Sequence, residues 1–418
     1  MNPAVHNVSQ LTDDEVRRRF VVRRHSLDEL LAHLREGDPP RHALVIGQRG
    51  MGKSLLLRRV AITVAEESGL AGRWLPLLMP EDLYQVRFIG ELWLAALHQL
   101  ATTLGDAGLA AQHDGLLAEP DPARLEALAL QRLLGAARAR GRKLLLLAEN
   151  FDTLLDEQMG SEESWALRRA LQTEHDLLLM ATAVKSFPQV EEAGEAFYGF
   201  FHRLDLPPLD DSEVRTLWRE LTGVDLADDR AAAVRILTGG NPRLTTVLGR
   251  FSRHPDLSRL DEDLNLLVDE YTPYFQATME ALPVAERKVF VTLADIWAPA
   301  TAAQVAERAR MTSGMVSALL GRLVRRGAVV VVGSQSGKNR YELTERLYNL
   351  YHLLRRPDGE RRVRALVDVL THLSRRAGRV GEVLPRIVRP ALGELLPREL
   401  RELQPLLRKG SLDRLSAG

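Results

Sequence analysis

Cysteine is absent from all 418 residues. That excludes disulfides, thiol catalysis, iron–sulfur clusters and cysteine-ligated zinc. Long apolar runs are missing too, so nothing in the sequence reads as a membrane span. The opening MNPAVHNVSQLTDDEVRRRF has no apolar core of a signal peptide, and a cytoplasmic protein without membrane contact is the expectation. There is no internal repeat and no long low-complexity tract. The 11 histidines are scattered, with no H-E-x-x-H, and no G-x-S-x-G occurs.

Net charge is also absent, with 56 Lys+Arg against 56 Asp+Glu, but the balance conceals a division. From Tyr274 onward there are 25 basic against 14 acidic residues, and before it 31 against 42. Two regions of opposite sign point either to different partners or to an acidic domain packed on a basic one. The rest is ordinary globular composition, 45% hydrophobic and 27% charged. The length suits about two to four domains with a sizeable core.

Residues 1–20 read as a polar lead-in, and SLDELLAHLRE, 26–36, as a helix behind a serine cap. Five apolar segments read as strands: HALVI (42–46), RWLPLLM (73–79), KLLLLA (143–148), DLLLMATAV (176–184) and FFHRLDLPPL (200–209). Helices are expected between them over SLLLRRVAITVAEES, 88–104 and about 122–140. Strands alternating with helices imply a parallel sheet covered on both faces. Residues 211–274 read as helical, with a break at TGGNPRLT, and 358–418 as a Leu/Arg-rich helical tail. Within that tail RRVRALVDVLTHLSRR is a basic amphipathic candidate, read as a solvated face.

GQRGMGKS, Gly47 to Ser54, fits G-x-x-x-x-G-K-[ST] between a strand and a helix. Gly47, Gly50 and Gly52 let the backbone curl around one anion, with Gln48, Arg49 and Met51 completing the loop. The helix N-terminus adds positive potential. Lys53 would reach the β- and γ-phosphates of ATP, and Ser54 would ligand Mg²⁺.

FVVRRHSLDELL before this loop resembles the segment that opens STAND-type and origin-initiator-like AAA+ ATPases, with Val22 in place of the usual glycine and Arg23 matching the usual arginine. PEDLYQVRFIGELWLAAL, LDLPPLDDSEV and TGGNPR are similar to archaeal-type ATPase sequences, so the resemblance spans about residues 20–355. It implies an α/β P-loop NTPase core over 1–209 and a helical lid over 210–274. Arg243 would reach back to the phosphates, unless it is an exposed arginine in a plain Gly-Asn-Pro turn. Thr182, at the end of the fourth strand, would sense the γ-phosphate. Arg203 could act on a neighbouring copy, though a solvated strand-edge arginine fits as well.

The stretch LLLLAENFDTLL, 144–155, departs from the family's D-E-x-D-x-L-L. Sliding to keep Asp152 and the leucine pair in register puts Glu149 on the metal carboxylate and Asn150 on the catalytic glutamate. Matching run lengths instead puts Ala148 on the metal ligand and Glu149 on the base. A third reading makes Glu149 and Asn150 helix caps. The first, preferred, expects tight nucleotide binding and slow turnover, because an amide accepts no proton at neutral pH.

Residues 275–357 read as three short helices and two strands around GSQSGKN, and resemble the MarR-like winged helices attached to archaeal-type ATPases. Thr301 and Gln304 form a capping-box pair, Thr312 or Ser313 caps the next helix, and Gly327 ends it. Arg322, Arg325 and Arg326, with Lys338 and Arg340 near the wing, are candidate contacts to duplex DNA phosphates. Ser313, Gly314, Ser317 and Ala318 are poor base readers. A winged helix used for protein contacts is the alternative. The expectation is an ATP- and Mg²⁺-binding nucleotide switch coupled to DNA binding. A signalling or defence-type STAND ATPase with a protein partner, or an ATP-responsive transcription regulator, stands beside it. Further copies of the chain are among the expected partners.

Overall fold

The computed structural model describes residues 8–354, apart from 37–39, 82, 84, 185, 253–259, 297–298, 336 and 345–346. The helical tail expected over 358–418, with its basic stretch, lies outside the described residues. The chain divides into two compact units, Met1–Pro207 and Pro208–Gly418.

The first unit is built on a five-stranded sheet in the order β2-β3-β4-β1-β5. The strands are β1 (Ala43–Ile46), β2 (Trp74–Leu78), β3 (Lys143–Ala148), β4 (Leu177–Ala183) and β5 (His202–Asp205), and every pairing is parallel. These are the five segments expected. The first four read as apolar runs because the sheet is covered on both faces, whereas the edge strand β5, His-Arg-Leu-Asp, buries only Leu204. Along β3 the side chains alternate between two cores. Leu144 and Leu146 join Trp93, Leu97, Leu133 and Phe151 on one side. Leu145 and Leu147 join Leu30, Leu57, Val60 and Met180 on the other. Each such leucine stabilises the fold by roughly 1.5–3 kcal/mol through burial alone.

Two local expectations need correction. The helix with the leucine stripe is Arg24–Arg35, and its N-cap is Arg23 in the left-handed region (φ 67). Ser26 lies buried inside the first turn and caps nothing. The supposed polar lead-in holds a helix, Asp13–Arg19, closed by a Thr12/Glu15 capping box that a reading by apolar runs overlooks.

The second unit begins with helices Asp211–Thr222, Asp228–Thr238 and Pro242–Phe251. Asp210 and Glu213 form a capping box at the first. Gly240 adopts φ +65, and a Cβ there would stand 2.7 Å from Leu209 O, so only glycine fits this approach. The next helix, Leu260–Glu280, runs straight through position 274, where the sequence suggested a domain division. Its Phe275 packs on Tyr348 and Tyr351 of the helix Leu347–Leu354.

Helices Val284–Ile296, Ala302–Ala309 and Ser313–Arg325 follow, with a three-stranded antiparallel sheet in the order β6-β8-β7. Its strands are β6 (Ala300–Thr301), β7 (Val329–Gln335) and β8 (Lys338–Leu343). The Thr301/Gln304 capping box is present, and Thr312 rather than Ser313 caps the third helix. Val316, Leu319, Leu320 and Leu323 form its buried stripe. Among the described residues, no helix is long and apolar enough to cross a membrane.

Candidate functional site

Ligand sites in open parallel sheets gather outside the carboxyl ends of the strands. Here β1 ends in the loop Gly47–Ser54. Gly50 and Gly52 take φ of 83 and 89, conformations that side chains resist. A Cβ on Gly47 would press to 3.2 Å from the Leu206 Cβ. Met51 is buried and anchors the loop, while Gln48 is half-buried and Arg49 exposed. The helix Lys53–Glu66 starts without a side-chain cap, so its first N–H groups face the loop's concavity as an anion site does.

Lys53 is buried, and its Nζ donates to Gly47 O (2.5 Å) and Gln48 O (3.2 Å). Burial lowers its pKa to about 8, opposed by the negative charges of Asp152 and Glu149. The Ser54 hydroxyl donates to Glu149 Oε2. Burial raises the Glu149 carboxyl pKa; the Ser54 hydrogen bond opposes this, and the nearby Glu81 charge adds to it. Hydroxyl and carboxylate are hard oxygen donors of the kind Mg²⁺ takes, in ones and twos, from proteins. No cluster of three or more His, Asp or Glu that could hold a metal occurs among the described residues.

Asn150 follows immediately, exposed and left-handed (φ 52). Asparagine is among the few non-glycine residues at ease there. Its side chain makes no capping hydrogen bond to the following turn. Asp152 is buried, and its Oδ2 accepts from the Val184 N–H (3.0 Å), tying the end of β3 to the exit of β4. Thr182 is fully buried beside β1, paired with Val45. Neither Thr182 Oγ1 nor Asp152 Oδ1 has a hydrogen-bond partner among the described residues. Thr182 lies on β4 and Asp152 just beyond β3, both toward the loop end of the sheet.

Arg23 is buried at the head of its helix. Arg203 on the edge strand β5 is paired with Asp205 (3.1 Å) and donates to Ser186 Oγ (3.2 Å). In the second unit, Arg243 is half-buried, and its N–H donates to the capping Asn241 side chain (3.0 Å). Glu81, two residues beyond Met79, went unnoticed in the sequence. Its signal was an acidic pair, Glu81-Asp82, directly after a strand.

The basic candidates divide. Arg326 Nε lies 2.8 Å from Oε2 of the buried Glu286, off the line of a hydrogen bond, and Arg322 Nη1 lies 3.8 Å from its Oε1. Arg340 donates twice to Pro299 O (3.1 and 2.6 Å). Arg325 and Lys338 are exposed and make no ion pair among the described residues. Met315 and Val331, half-exposed apolar side chains, belong to the same helix and sheet.

Residues 19–182 match the model of an AAA ATPase domain. No curated protein matches the chain. Among solved structures, a Walker-type ATPase of Pyrococcus abyssi superposes with a TM-score of 0.55 at 16% identity, over 79% of this chain and 95% of that one. An Orc1 protein of Aeropyrum pernix, solved in complex with DNA, gives 0.46 at 18% identity, over 82% and 95%. The Orc2 protein of the same organism gives 0.48 at 14%, over 85% and 95%. The fold is that of an α/β P-loop NTPase of the AAA+ type.

Proposed function

We propose that the chain is an ATP-binding nucleotide switch of slow turnover whose second unit carries a winged helix that meets DNA phosphates. The observation that carries the nucleotide half is the Ser54–Glu149 hydrogen bond beside the glycine loop. It joins a hydroxyl and a carboxylate that would together hold Mg²⁺, and so favours Glu149 as the metal carboxylate. Bound Mg²⁺ would neutralise phosphate charge. Lys53 would exchange its loop carbonyls for phosphate oxygens, and Thr182 would offer its unpartnered hydroxyl to the γ-phosphate. Asn150 then stands at the base position, where an amide orients water but takes no proton. Loss of general-base help typically costs ~10²–10⁴-fold.

The second unit would respond through Arg243 of the lid, changing the lid's angle with nucleotide state. The helix Ser313–Arg325 and the β7–β8 hairpin correspond to recognition helix and wing. A second reading, a STAND-like signalling ATPase with a protein partner, draws on a specific observation. Glu286 and Pro299 O engage Arg322, Arg326 and Arg340, while Met315 and Val331 face outward.

The nucleotide reading is tested with Lys53→Ala in the full-length chain. ATP at 100 times its Kd should stabilise the wild type by ~2.7 kcal/mol and leave the variant unmoved. Equal melting shifts in the two proteins would remove the loop from the binding site.

A further inference from the structure

We propose that Glu81 is the general base of this site, the carboxylate that position 150 lacks. The inference rests on the ATPase reading above and names the group through which its slow turnover runs.

The placement comes from strand register. β2 and β3 are parallel neighbours with Leu78 opposite Leu147, and the Met79 N–H extends the ladder to Leu147 O (2.8 Å). Glu81 stands two residues beyond Met79, and Glu149 two beyond Leu147. Both therefore leave the sheet at the same end, on adjacent strands. Glu81 is close enough to Glu149 for its charge to act on that carboxyl. Leu83 and Val86 are buried, and the Gln158 amide, oriented with its nitrogen toward them, donates to Leu83 O (2.7 Å) and Val86 O (3.1 Å). Gln158 closes the turn that begins at Asn150, so the two segments are held together.

Elimination among the carboxylates points the same way. Glu149 is engaged by Ser54. Asp152 is buried, tied to Val184 N–H, and supplies charge to Lys53. Glu81 is exposed and makes no hydrogen bond or ion pair among the described residues. Of these three described carboxylates, it is the one left to accept a proton. In the step itself, a water oxygen bonds to the γ-phosphorus as the bond to the β,γ-bridging oxygen breaks. That electron pair leaves with ADP, the water proton passes to the Glu81 carboxylate, and from there it goes to solvent.

The test uses the full-length chain, with Mg·ATP binding followed by calorimetry and phosphate release followed in single turnover. Glu81→Gln should bind Mg·ATP within about threefold of wild type while phosphate release falls about 10²-fold, the low end for a general base. Glu81→Asp should restore part of the rate. Unchanged release in Glu81→Gln overturns the assignment, and so does tighter Mg²⁺ dependence at an unchanged rate, which marks a purely electrostatic neighbour. A wild type that binds Mg·ATP but releases no phosphate overturns it too and leaves the binding reading standing. A wild type that binds no Mg·ATP removes both.

Discussion

The Ser54 hydroxyl donates a hydrogen bond to the Glu149 carboxylate across 95 residues of sequence. The contact exists because β1 and β3 both end at the same edge of a parallel sheet, and a helix begins at once after β1. Glycine-loop chemistry and strand-end acidity are thus consequences of one topology. Thr182 and Asp152 carry unpartnered buried oxygens toward the same end of that sheet.

Thr182→Val tests whether the Thr182 hydroxyl is functional. The Thr182 hydroxyl is fully buried without a partner, and an unsatisfied buried polar group costs about 1–3 kcal/mol. An isosteric methyl should therefore raise stability without nucleotide by roughly 1 kcal/mol. If the hydroxyl meets the γ-phosphate, ATP binding and turnover should fall in the same variant. A more stable protein with wild-type turnover would make Thr182 a packing residue only.

Asn150→Glu should raise steady-state phosphate release at saturating ATP, because it returns a carboxylate to the base position. Backbone conformation sets a cost. Residue 150 is left-handed, and a residue other than Gly, Asn or Asp loses roughly 1–2 kcal/mol there. Faster turnover should thus come with a lower melting temperature, and Glu81→Gln should matter less in its presence. A fast wild type that Glu149→Gln alone abolishes, with Asn150→Glu silent, would restore the run-length alignment.

His42 gives a pH signature independent of the site. Burial lowers its pKa from 6.5 to about 4. Its Nε2 meets Leu171 O (2.9 Å), and its Nδ1 accepts from the Leu179 N–H (2.9 Å), which requires the neutral ring. The unfolded chain takes up this proton first as pH falls. The stability is therefore full above about pH 6.5 and lost as pH drops through about 4, by at most about 3 kcal/mol. Denaturant unfolding from pH 7 to 4 should show a smaller acid loss in His42→Gln than in wild type. Parallel pH dependences would mean that His42 does not titrate in this window.

Four strands of the first unit were legible as short apolar runs bounded by turn residues; β5, His-Arg-Leu-Asp, was legible only through the apolar residues that flank it. The phosphate loop was legible as a spacing. The helix Asp13–Arg19 was not, since its signal is a capping box in a charged segment rather than a stripe. Ser26 misled because a serine before leucines looks like a cap, whereas the strained Arg23 begins that helix. Glu81 escaped notice because its role depends on which strand lies beside β3, and sheet order is not written in any local pattern. The arginine pairs on Glu286 were hidden for the same reason: their partner lies on another helix.

Those pairs set the terms for DNA binding. Arg325 and Lys338 stand exposed, whereas Arg322 and Arg326 attend a Glu286 side chain that is 2% exposed. If the second unit meets duplex phosphates, affinity in the full-length chain should fall by about 0.9 log unit per contact for each decade of salt. Replacing Arg325 and Lys338 with Ala should weaken two unrelated duplexes nearly alike and flatten that slope. Glu286→Gln keeps the shape but removes the charge that holds the other two arginines. It should raise affinity at low salt and steepen the slope toward two further contacts. Binding that ignores all three substitutions would place the DNA surface elsewhere. No binding at low salt would give the module to the protein-contact reading, and there Met315 and Val331 become the side chains to replace. A large preference for one duplex would mean that base or shape readout outweighs the phosphates, despite the small residues at the start of the helix.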